Sequence, residues 1–99
     1  MRENAKRVAT LMGQLANENR LLILCALLEG PKTVGELGEL IPDISAPALS
    51  QHLHKLRDAE LICSEKKAQY IRYSIRDERL RGLIDLLRHD YCTETEHKK

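Results

Sequence analysis

The chain has 99 residues, 42% hydrophobic and 31% charged, with a net charge of +1. That is enough for one domain with a single modest core, and too little for two. The longest apolar run, Leu21–Leu28, has eight residues and is far too short to span a membrane. With no secretory core at its start, the chain is expected to be cytoplasmic and not membrane-bound.

Residues Ala5, Val8, Met12, Leu15 and Ala16 recur at helical spacing and predict a first helix over 2–16. Asn17 can cap a second helix over 18–29, whose eight consecutive apolar residues make it the central one, ended by Gly30-Pro31. Thr33 and Glu36 have the spacing of a capping box for a short third helix, 34–40. Ser45 caps a fourth, "APALSQHLHKLRDA". Two β-rich runs, 61–65 and 70–75, flank a polar turn at 66–69 and read as a hairpin. Asp77 caps a last helix with the stripe Leu80, Leu83, Ile84, Leu87 and Tyr91. Residues 1–92 are thus one domain, and 93–99, with nothing to bury, are expected to be a disordered tail. The expected fold is mainly α with a small β-hairpin, in the order α-α-α-α-β-β-α.

On a helical wheel Leu49, Leu53 and Leu56 form the buried stripe of the fourth helix. Pro47, Gln51, His54 and Asp58 lie opposite, flanked by Ser50 and Lys55. Hydroxyl, amide, imidazole and ammonium along one face can hydrogen-bond base edges and phosphates in a major groove. A merely solvated face would have the same residues, so context decides. A short helix, a turn, this helix and a hairpin tipped by Lys66, Lys67 and Gln69 make a winged helix-turn-helix. The stretch from 46 to 76 holds Lys55, Arg57, Lys66, Lys67, Arg72 and Arg76 against Asp58, Glu60 and Glu65. That local basic excess suits double-stranded DNA. The scarcity of aromatics, three tyrosines with no Phe or Trp, argues against stacking on single strands. His52 and His54, two apart, diverge by about 100° and cannot share a metal. His52 lies towards the buried stripe and is expected to pack or bond to backbone.

With "NENRLLILCALLEG", "TVGEL", "ALSQHLHKLRDAELI" and "KKAQYIRYSI" in this order, the chain resembles the ArsR/SmtB family of winged-helix transcriptional repressors over residues 5–92. The resemblance implies a homodimer formed through the first and last helices, and operator binding that an inducer weakens. The family's metal-ligand positions fall on Thr33 and Gly35, and on Asp77, Arg79, Asp90 and Thr93. These do not make a ligand set, so no metal and no cofactor are expected. The nearer resemblance is to the branch containing BigR, SqrR and HlyU, which has one cysteine in the second helix and one at the end of the last. Here these are Cys25 and Cys92, and the resemblance implies that they sense oxidants or reactive sulfur. Taken alone, Cys25 reads as a small buried hydrophobe. Cys63 matches no sensing position and is expected to pack in the hairpin.

Two departures stand out. Ala46 and Pro47 replace the polar residues that relatives often carry there, and Glu65 stands in the wing where a base is common. Two alternatives share the fold: a repressor without a small-molecule sensor, and a winged-helix module that binds protein. No nucleophile–base set or phosphate loop suggests an enzyme.

Overall fold

The computed structural model describes residues 1–89, so the expectations for Tyr91, Cys92 and the tail lie outside the described residues. The elements are α1 (Arg2–Leu15), α2 (Glu18–Leu27), β1 (Lys32–Thr33), α3 (Val34–Leu40), α4 (Ala46–Asp58), β2 (Ile62–Lys67), β3 (Tyr70–Ile75) and α5 (Glu78–Leu87). The core is built from the inward stripes. Ile23, Leu24, Leu27, Leu37, Leu53 and Leu56 have no exposure, and Leu49, Ile62, Leu80 and Ile84 almost none. Cys25, Ala26 and Leu28 pack half-buried around α2, which is the central helix, although Leu22 remains exposed.

Local chemistry sets the helix starts. Asn17 Oδ1 accepts from the N–H groups of Asn19 and Arg20. Thr33 and Glu36 exchange both bonds of the capping box, and Ser45 Oγ accepts from the Ala48 N–H. Asp77 accepts from the backbone N–H and the side chain of Arg79, and the Arg79 bond holds its carboxyl below the usual carboxylate range. Each cap satisfies N–H groups that the helix itself leaves open.

The sheet is larger than the expected hairpin. β1 pairs antiparallel with β3, Lys32 opposite Tyr73 and Thr33 opposite Arg72, giving the order β1-β3-β2. This short strand ties the start of α3 to the wing. β2 also extends to Lys67, which pairs with Tyr70, so the tip is only Ala68-Gln69 rather than a four-residue turn. Ala68 takes φ 55° to make it.

The end of α4 is a Schellman motif, with Leu61 N–H donating to the Leu56 carbonyl and Glu60 N–H to that of Arg57. Glu60 sits at its left-handed position with φ 65°, where a β-carbon is strained. Glu60→Gly is therefore expected to stabilise the fold by about 1 kcal/mol. Thermal unfolding at fixed protein concentration checks this; the midpoint should rise by about 4–8 °C.

Candidate nucleic-acid interface

α3, the turn after it and α4 form the helix-turn-helix, and the β2–β3 hairpin is the wing. The back of α4 is anchored by Leu49, Leu53 and Leu56 against α2 and α3. Its front is turned to solvent by the same periodicity. Ser45, Pro47, Ser50, Gln51, His54 and Lys55 are all exposed, as are Lys66, Lys67 and Gln69 on the wing. Ser45 is engaged in its cap, and Pro47 sits in the first turn, where a proline costs no hydrogen bond.

The charges on this surface are largely uncompensated. Among the described residues Lys55 and Lys66 have no ion-pair partner, and Lys67 lies 4.0 Å from Glu65, its carboxylate neighbour on the same strand. Lys55 also stands in the last turn of α4, where a cation complements the helix dipole. Arg57, by contrast, turns back to the sheet and donates to Ser64 Oγ at 3.4 Å. Arg72 is an exposed wing cation in register with Glu65 and Thr33. Tyr70 is 63% exposed beside the wing tip. The hairpin pattern already places Arg72 and Tyr70 on the wing; the strand register adds that Tyr70 pairs with Lys67 at its tip and Arg72 with Glu65.

His52 is half-buried, and its partner is not backbone. Arg20 Nε donates to His52 Nδ1 at 3.3 Å, while Arg20 Nη1 donates to the Gln14 carbonyl oxygen and to Gln14 Oε1. Residues 32 apart give no spacing signal for such a contact, so the sequence could not have revealed it. Burial, then the charges of Arg20 and Lys55, hold the His52 imidazole below its ordinary pKa.

Cys25 is half-buried against the core on α2. Cys63 packs in the hairpin as expected, its Sγ 3.3 Å from Ser74 Oγ across the β2–β3 pair. Thr33 and Asp77, two of the positions where the family's metal ligands fall, are both engaged in helix caps. No helix among the described residues is long and apolar enough to cross a membrane.

Residues 17–64 match the family described as "Bacterial regulatory protein, arsR family". The chain is 42% identical to the HTH-type transcriptional regulator YgaV of Escherichia coli, covering 93% of each chain. It is 39% identical to the transcriptional activator HlyU of Vibrio cholerae, over 93% of this chain and 84% of HlyU. The structure of reduced HlyU superposes with a TM-score of 0.87, over 93% of this chain and 96% of that one. The transcriptional repressor BigR of Xylella fastidiosa is 33% identical with a TM-score of 0.84, covering 93% of each.

Proposed function

Because the chain belongs to the ArsR family of DNA-binding transcriptional regulators, we propose that it is a homodimeric repressor whose operator affinity is set by the thiols Cys25 and Cys92. It is a regulator and not an enzyme, as its relatives are. The observation that carries the operator-binding reading is the uncompensated polar front of α4, with the wing lysines beside it. Gln51, His54 and Ser50 read base edges in the major groove, and Lys55, Lys66 and Lys67 contact phosphates. Ser45 and Pro47 set the entry of α4 to the groove, and Gln69 at the wing tip reaches the neighbouring backbone.

The test is binding to duplexes enriched from a random pool, measured as a function of salt. Each phosphate contact releases counterions and steepens the slope of log affinity against log salt by about 0.9. Removing Lys66 and Lys67 as a double alanine variant takes two contacts from each protomer. The slope should flatten by about three to four. An unchanged slope would place the wing off the DNA.

The dimer places two recognition helices one helical turn of DNA apart, a spacing that tolerates little change. Exposed apolar side chains on α1 (Val8 and Met12) and α5 (Leu86 and Leu87) support an interface through the first and last helices. Cys25 lies on α2, which packs against α5. A Cys25–Cys92 cross-link would tie α2 to the segment of chain that follows α5 and shift the two recognition helices. The thiols give up two electrons and two protons, and a polysulfide oxidant is reduced to shorter sulfide species. Mass spectrometry after polysulfide treatment should show this cross-link together with release from DNA. A Cys25→Ser protein that releases DNA like the parent would remove the thiol control and leave the repressor without a sensor.

A further inference from the structure

Arg20 is shared by three helices. It stands in the first turn of α2, its Nη1 reaches back to Gln14 near the end of α1, and its Nε reaches across to His52 on α4. Gln14 supplies two acceptors, a carbonyl at 3.2 Å and Oε1 at 2.9 Å. Among the described residues Arg20 has no carboxylate partner, so the three acceptors are what hold the guanidinium in place.

A guanidinium nitrogen only donates. His52 Nδ1 must therefore present its lone pair, with the ring neutral and its proton on Nε2. We propose that Arg20 and His52 are positioning residues for operator binding: the neutral imidazole, held by Arg20, fixes the recognition helix against α1, and protonation of His52 releases it. The proposal rests on the reading of α4 as the operator-reading helix. It goes further in linking the helix proposed for dimer contact to the helix proposed for DNA contact through one side chain.

The surroundings set the sign. The charges acting on His52 are those of Arg20 on α2 and Lys55 on its own helix, both cationic. Asp58 lines the same shallow depression with Gln14, Arg20 and Lys55. Glu36 and Glu39 on α3, Glu65, Lys66 and Lys67 on β2, and Glu18 on α2 are not among the charges that shift it. Protonation thus makes His52 a third cation beside Arg20 and Lys55 and, among the described residues, removes the acceptor by which α4 holds Arg20. The bond is intact at neutral pH and is lost as pH falls through the His52 pKa.

This predicts the reverse of the ordinary effect of a histidine near DNA. A ring that merely faces phosphates gains affinity on protonation, because the polyanion favours its charged form. Here binding requires the neutral ring, so below the His52 pKa affinity should fall with a limiting slope of about tenfold per pH unit for each protomer, about a hundredfold for the dimer. His52→Asn keeps an acceptor near the Nδ1 position and cannot titrate in this range.

The experiment has two arms. Operator affinity of the parent and of His52→Asn is measured from pH 8 to pH 5, with the enriched duplex as probe. The parent should lose affinity on acidification relative to the variant, and superimposable profiles would overturn the proposal. The second arm needs no DNA: nitrogen-15 NMR of the histidine rings in the full chain. His52 should titrate below its ordinary range with the proton on Nε2, and Arg20→Gln should bring that pKa back up. A ring protonated on Nδ1 at neutral pH would also overturn the proposal. If no duplex is bound at any pH while the NMR result holds, the repressor reading fails and the Arg20–His52 link stands.

Discussion

A chain carrying aspartate at both Val8 and Met12 is expected to fold as a monomer and to bind its operator 10²–10⁴ times more weakly, a fold-range set by the loss of avidity. Val8 is 56% exposed and Met12 51%, one helical turn apart on α1. Leu86 and Leu87 on α5 are 57% and 37% exposed. α1 is held to its own core by Leu15, which is buried, and by Leu11, which is half-buried. The two substitutions therefore change no core contact within the protomer. Buried in an interface, each carboxylate would lose its hydration with no partner, which costs several kcal/mol and is enough to separate subunits. The two half-sites are then bound independently, and the second binding event is no longer intramolecular. Sedimentation velocity and a far-UV circular dichroism spectrum, beside operator titrations, decide the matter. A dimeric variant with parental affinity would move the interface away from α1.

How much of this was legible in the sequence depended on the range of the interaction. The caps at Asn17, Thr33, Ser45 and Asp77 were readable because each acts within three residues of itself. The back of α4 was readable because Leu49, Leu53 and Leu56 repeat at the helical period. β1 was not, since two residues carry no alternation and their partners Tyr73 and Arg72 lie some forty positions away. The ends of the wing were misplaced for a related reason. Ala68 and Glu60 adopt positive φ without being Gly or Asn, so the usual turn signal is missing. The apolar stripe of α1 was visible as a pattern. Nothing in a pattern says that Val8 and Met12 point away from the protomer's own core. The Arg20–His52 contact needed the packing of α2 against α4 before it could exist at all.

Leu53→Ala should separate folding from reading. Leu53 is fully buried at the centre of the back face of α4, between Leu49 and Leu56, and shares the core with Ile23, Leu24, Leu27 and Leu37. Truncating it removes its burial energy and leaves a cavity that helices on both sides can only partly close, a loss of about 3 kcal/mol. Against a total of about 5–15 kcal/mol for a domain, this is a large share. Denaturant unfolding at fixed protein concentration measures it. The front of α4 is untouched, so the folded fraction should keep its operator affinity once concentration is corrected for unfolded chain. Gln51→Ala should do the opposite, because its side chain is exposed. Its stability should stay within about 0.5 kcal/mol of the parent, while affinity for the enriched duplex falls by about 1–3 kcal/mol for each half-site read. The two variants differ by two positions on one helix, and their opposite effects would follow from its two faces. If Leu53→Ala lost affinity in proportion to Gln51→Ala while remaining as stable as the parent, α4 would not be presenting its polar side to DNA.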